Sequence, residues 1–124
     1  MTKKVLVVDD EPTITLSVKE GLEYLDADFN VTCVKSGEEC IDLLKKNQLP
    51  DLILLDIMMP GMNGWDVAAE IKKNPEWNRI PVVFLTAKTD SDSKSFGKIV
   101  SQDYVEKPFE IKDLKNRIDK LLGY

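Results

Sequence analysis

Apolar residues along this chain alternate between short unbroken runs and spaced repeats. The runs are Val5-Leu6-Val7-Val8, Val31-Thr32-Cys33-Val34, Leu52-Ile53-Leu54-Leu55, Val82-Val83-Phe84-Leu85 and the brief Tyr104-Val105. Short continuous runs of this kind, bounded by turn residues, are characteristic of strands covered on both faces of a parallel sheet. Between them, apolar residues recur three and four apart. Ile14, Val18, Leu22 and Leu25 follow Pro12, which suits a first helical turn, and the polar stretch Asp26 to Asn30 ends that helix. Ser36-Gly37-Glu38-Glu39 is a capping-box pattern ahead of Ile41, Leu43 and Leu44, and Leu49-Pro50 breaks the helix that follows. Pro60, Gly61, Asn63 and Gly64 mark a loop before a third helix, from about Trp65 to Lys73 and closed by Pro75. The polar stretch Lys88 to Lys94 precedes a short fourth helix near Ser95 to Val100. Ile111, Leu114, Ile118, Leu121 and Leu122 give a final amphipathic helix.

Five strands alternating with five helices predict an α/β sandwich of three layers, with a parallel sheet, helices on both faces and right-handed crossovers. No repeat, linker or low-complexity segment interrupts the pattern. The 124 residues therefore read as one domain over 1–124, with no output domain visible.

Composition narrows the chemistry. Hydrophobic residues at 43% and charged residues at 31% describe an ordinary folded domain. The 22 acids against 17 basic residues leave a net charge of -5, a field that repels phosphate backbones and argues against direct nucleic-acid binding. No apolar run approaches the ~20 residues needed to span a bilayer. The opening Met1-Thr2-Lys3-Lys4 leads straight into a strand with no cleavage site, so the expectation is a cytoplasmic protein with no membrane insertion. Cys33 and Cys40 form no CxxC and read as packed residues. The chain contains no histidine, which excludes His-based triads and His-ligated zinc and leaves carboxylates, hydroxyls and lysine.

In an open parallel sheet, ligands bind beyond the carboxyl ends of the strands. Asp9-Asp10 follow the first strand here, Asp56 the third, Thr86 the fourth and Lys107 the fifth. Each has a bland reading taken alone. The acids of Asp9-Asp10-Glu11-Pro12 suit a helix N-terminus, Asp56 suits a turn, Thr86 a strand end and Lys107 a solvated surface; Tyr104 suits a core. Independent accidents, however, do not predict one shared rim. Clustered carboxylates repel, and a cation is the natural way to keep them ionised. With oxygen donors only, Mg²⁺ fits best, with Mn²⁺ as a substitute. A carboxylate beside such a cation can act as a nucleophile toward phosphorus.

Four segments carry a resemblance that covers the whole chain. Val5-Leu6-Val7-Val8-Asp9-Asp10-Glu11-Pro12, Asp51-Leu52-Ile53-Leu54-Leu55-Asp56-Ile57-Met58-Met59-Pro60-Gly61-Met62-Asn63-Gly64, Pro81-Val82-Val83-Phe84-Leu85-Thr86-Ala87 and Asp103-Tyr104-Val105-Glu106-Lys107-Pro108-Phe109 resemble, in order, the signature segments of response regulator receiver domains in two-component signalling. The resemblance implies a flavodoxin-like (βα)5 fold with strand order 2-1-3-4-5. It implies Asp56 as phosphoacceptor, with Asp10, Asp56 and the Met58 carbonyl on Mg²⁺ and Asp9 assisting through water. Lys107, Thr86 and the Ala87 amide would contact the phosphoryl group, and Thr86 and Tyr104 would form the switch pair. The Lys107-Pro108 bond would be cis. The implied partners are a sensor histidine kinase or phosphotransfer protein, an unidentified protein downstream, and a second copy in a homodimer formed on phosphorylation.

One stretch departs from that pattern. The family usually carries a Gly-Ala pair shortly before the fifth strand, where this chain reads Val100-Ser101-Gln102-Asp103, about one residue short. A remodelled loop or fourth helix is expected there. Three rival readings fit less well. A phosphohydrolase with an aspartate nucleophile would want an acid at position 58, which is Met58. An FMN-binding flavodoxin would find its phosphate repelled by Asp9-Asp10-Glu11. A docking module that works without phosphorylation would leave the whole rim unexplained.

Overall fold

The computed structural model describes residues 2–87 and 103–124. Within them the chain runs β1 (Lys3–Val8), α1 (Pro12–Leu25), β2 (Phe29–Val34), α2 (Gly37–Lys45), β3 (Leu52–Asp56), α3 (Gly64–Lys73), β4 (Val82–Ala87), β5 (Asp103–Lys107) and a C-terminal helix, Ile111–Leu122. All strand pairs are parallel, in the order β2-β1-β3-β4-β5. This is the expected flavodoxin-like order. The expected fourth helix, the polar stretch before it and the shortened segment at Ser101 and Gln102 lie outside the described residues.

Alternation along the strands sorts the core into two layers. Leu6, Val8, Ile53, Leu55, Val82 and Phe84 point to one face, where α2 and α3 cover them with Cys40, Leu44, Val67, Ala68 and Ile71. Val5, Val7, Leu52, Leu54, Val83 and Leu85 point to the other, under Val18 and Leu22 of α1 and Leu114 and Ile118 of the C-terminal helix. The run 52–55 is buried on both faces.

Boundaries depart from the sequence-based expectation at β1, β2, α2 and β5, which runs over Asp103–Lys107 and not only Tyr104-Val105. β1 and β2 begin at Lys3 and Phe29, two residues earlier than their apolar runs. The polar residue that obscured this is itself buried: the Lys3 ammonium pairs with Asp26 at 2.8 Å and Asp119 at 2.9 Å and lies over the rings of Phe29 and Tyr124. α2 ends before Leu49-Pro50, because Asn47 adopts the left-handed conformation (φ 62°). The amides of Asn47 and Gln48 then donate to the carbonyls of Leu44 and Leu43 and close the helix. The capping box expected at Ser36 is half formed. The Ser36 hydroxyl accepts from the Glu39 amide, but the Glu39 carboxylate accepts from Lys35.

Candidate functional site

The first carboxylate is placed by a turn. Asp9, directly after β1, donates its N–H to the Val34 carbonyl and accepts the Glu11 N–H on its own carboxylate at 3.0 Å. That side-chain-to-backbone bond starts the reversal into α1, where Pro12 is the first helical residue. Asp9 is fully buried, whereas Asp10 beside it is exposed. Asp56 ends β3 and is 5% exposed. Lys107 ends β5. By strand alternation Asp9, Asp56 and Lys107 continue the face that α1 and the C-terminal helix cover, so they converge. The Lys107 ammonium lies 2.8 Å from Asp9 and 3.3 Å from Asp56. Carboxylate oxygens of Asp9, Asp10 and Asp56 all lie within 4.8 Å of one another. The Lys107-Pro108 peptide is cis.

Three acids and one ammonium leave the cluster short of positive charge. Burial, and then the Asp9 carboxylate, push the Asp56 carboxyl up to about 6, against the opposing pull of Lys107. Burial acts to lower the Lys107 pKa, but Asp9 and Asp56 outweigh it and hold the ammonium above its ordinary value.

The loop after β3 returns to the back of Asp56. Asn63 caps α3: its side chain accepts from the Asp66 amide at 3.0 Å, and the Asp66 carboxylate accepts from the Asn63 amide at 3.1 Å. The Gly64 N–H then donates to the Ile57 carbonyl at 2.9 Å. A methyl group on Gly64 would stand 2.5 Å from the Asp56 carbonyl oxygen and 2.8 Å from the Ile57 Cα. Glycine is needed here for space, so that the first turn of α3 can abut the backbone that carries the carboxylate. Met59 turns into the core under α2 and α3, while Met58 is 65% exposed.

Thr86 and Tyr104 occupy the opposite face of the sheet from Asp56. Tyr104 pairs with Phe84 across β4 and β5, and Thr86 lies two residues further along β4 on that same side. Thr86 is buried, and its hydroxyl donates to the Ala87 carbonyl at 3.1 Å. Half-buried Tyr104 packs on the layer containing Phe84, against whose ring Trp65 stands edge-on at 4.6 Å. Exposed Ala87 closes β4. The structure thus brings Asp9, Asp10, Asp56 and Lys107 together and puts Thr86, Ala87 and Tyr104 on the adjoining strands. Sequence reasoning missed the reciprocal cap of Asn63 and Asp66, although their i,i+3 spacing was a signal for it. It also missed the role of Gly64, because a glycine required for space looks like any turn glycine.

Residues 5–119 match the response regulator receiver domain family. The chain belongs to that family. It is therefore a receiver domain, a signalling module of two-component systems. A CheY-like response regulator receiver domain protein from Methanospirillum hungatei is 40% identical, with a TM-score of 0.82 over 98% of this chain and 94% of that one. The receiver domain of a Francisella response regulator is 32% identical, with a TM-score of 0.86 over 98% of each chain. The signal receiver domain of a histidine kinase from Syntrophus aciditrophicus is 29% identical, with a TM-score of 0.88 over 98% of this chain and 91% of that one. Among curated sequences, a Vibrio cholerae protein named "probable cyclic di-GMP phosphodiesterase" is 36% identical over 115 residues. That match takes in 92% of this receiver but only 25% of the Vibrio protein, so the receiver spans a quarter of that relative's length. No helix among the described residues is long and apolar enough to cross a membrane.

Proposed function

We propose that this receiver is a Mg²⁺-dependent switch that accepts a phosphoryl group on Asp56 from the phosphohistidine of a sensor histidine kinase or phosphotransfer protein. The observation that carries the proposal is the cluster itself: three carboxylates within 4.8 Å, with one ammonium bridging Asp9 and Asp56. Its donor set fits the metal. It is all oxygen, it holds surplus negative charge, and the upward push on the Asp56 carboxyl is the strain a divalent cation relieves. Asp10, Asp56 and the Met58 carbonyl would hold the ion, with Asp9 assisting through water. The bound ion would supply charge neutralisation for the entering phosphoryl oxygens.

The residues of the chain divide the remaining work. A carboxylate oxygen of Asp56 attacks phosphorus while the bond from phosphorus to the donor imidazole nitrogen breaks. The imidazole leaves with the electron pair and takes a proton from solvent. Lys107, already within 3.3 Å of Asp56, neutralises one phosphoryl oxygen. The Thr86 hydroxyl and the Ala87 amide donate to others. For Thr86 this means giving up its bond to the Ala87 carbonyl, and Tyr104, on the same face, follows. The altered face around β5 is then what a downstream protein reads.

Acetyl phosphate with Mg²⁺, followed by intact mass, tests the proposal. The chain should gain one phosphate, and both Asp56→Asn and excess EDTA should prevent it. Asp10→Ala should weaken metal binding more than Asp9→Ala does. Labelling that persists in Asp56→Asn would overturn the assignment.

A further inference from the structure

β2 is an outer strand of the sheet, and α1 reaches round its rim. Within a strand, the N–H and C=O of one residue point to the same side and those of the next residue to the other. In β2 the even positions face β1. The outward positions are Phe29, Val31 and Cys33. At the middle of that free edge, the Val31 N–H donates to the Glu23 carboxylate at 2.9 Å, and the Val31 carbonyl accepts from the Lys19 ammonium at 2.8 Å. Glu23 and Lys19 also pair with each other at 2.9 Å, one turn apart on α1. Next along the edge, the Phe29 N–H is taken by the Asp26 carbonyl at 3.1 Å.

We infer that Lys19 and Glu23 are an edge lock, which occupies the central donor and acceptor of β2 and so keeps the sheet from accepting a further strand from a second copy of this chain. An outer strand offers a row of backbone groups that another strand can complete, and its central residue is where such pairing gains most. This pair is unusual for a surface i,i+4 ion pair because it is matched to the backbone. The acid sits on the donor and the base on the acceptor, so each half mimics the missing strand. The depressed pKa of Glu23 has the Val31 N–H as its largest cause and Lys19 as its second, which agrees with the carboxylate being held by the strand. Neither residue touches the phosphoacceptor cluster, so the inference stands apart from the proposal for Asp56.

The test is the charge swap Lys19→Glu/Glu23→Lys, beside Lys19→Ala/Glu23→Ala. The swap keeps the helix pair and the net charge, but sets a base on the Val31 N–H and an acid on its carbonyl. Loss of a charged partner of this kind corresponds to roughly tenfold or more in local opening, so the Val31 amide should exchange with deuterium at least about tenfold faster in dilute swap protein than in the parent. At high concentration, both variants should sediment as larger species than the parent chain does at equal concentration. The Val31 and Cys33 amides should regain protection in those species. Circular dichroism and a cooperative melt identify variants that remain folded. Folded variants that sediment like the parent across the range would overturn the lock. So would association that leaves the Val31 and Cys33 amides unprotected.

Discussion

Lys107 and Asp9, from opposite ends of the chain, form an ion pair of 2.8 Å in which the carboxylate is wholly buried. Removing one member of such a pair costs far more than the pair contributes, because the remaining charge is left buried without its countercharge. In metal-free buffer, Lys107→Met should therefore lower the unfolding free energy by about 3 kcal/mol in urea titration. Asp9→Asn combined with Lys107→Met should recover most of that loss. Equal losses in the single and double variants would show that the penalty comes from packing and not from the stranded charge.

Asp56 makes stability fall as pH rises. Its folded pKa, about 6, lies above an unfolded value near 3.9, so the folded state disfavours the ionised form. The contribution of this group is most favourable at low pH, where it is protonated in both states. It declines as pH rises from about 4 to about 6 and is fully lost above that. Asp56→Asn removes the penalty. With EDTA present, the variant should exceed the parent by about 3 kcal/mol at pH 7.5 and match it near pH 4. A constant offset across that range would place the cause elsewhere.

Gly64 brings no side chain to the rim yet sets where one of its groups stands. Gly64→Ala must move either α3 or the Asp56 backbone, given a 2.5 Å approach to the Asp56 carbonyl. A displacement of the reacting group by a fraction of an ångström should slow labelling by acetyl phosphate roughly tenfold to a hundredfold. The stability cost should stay within about 1–3 kcal/mol. A labelling rate within twofold of the parent would show that α3 yields instead.

Much of the fold and of the site is legible in the sequence. Leu52 to Leu55 announced a doubly covered strand, and the acids and lysine at strand ends announced the rim, because burial and parallel pairing leave few other readings. What escaped was physics that depends on tertiary partners. Lys3 looks like a terminal surface lysine until Asp119, 116 residues away, is brought to it. Asn47 outranked Pro50 as a helix stop because a left-handed residue closes the final carbonyls at once. Gly64 is defined by a neighbour, not by its own dihedral angles. That Asp56 and Thr86 occupy opposite faces follows from strand parity once the register is known, and register was not in the sequence pattern.

That opposition of faces frames the proposed switch. A phosphoryl group on Asp56 would offer Thr86 a charged acceptor, worth on the order of 1.5–3 kcal/mol, in place of the Ala87 carbonyl. A gain of that size shifts a two-state equilibrium by roughly 10- to 150-fold. Thr86→Ala should still be labelled, and beryllofluoride should still shift the NMR signals around Asp56. Shifts at Tyr104 and along β5 should shrink markedly. If both sets match the parent, Thr86 does not carry the signal across the sheet.

The ion pair that joins the end of β1 to the end of β5 has a consequence for the newly made chain. Asp9 leaves the ribosome 98 residues ahead of Lys107, and neither segment alone forms a site. Until β5 seats against β4, the acids lack the Lys107 ammonium, and a phosphodonor would meet the carboxylates without the cation that bridges Asp9 and Asp56. Competence to receive a signal would thus arrive in one step with completion of the sheet, so that phosphate uptake by a freshly synthesised or refolding sample would double as a clock for its final folding event.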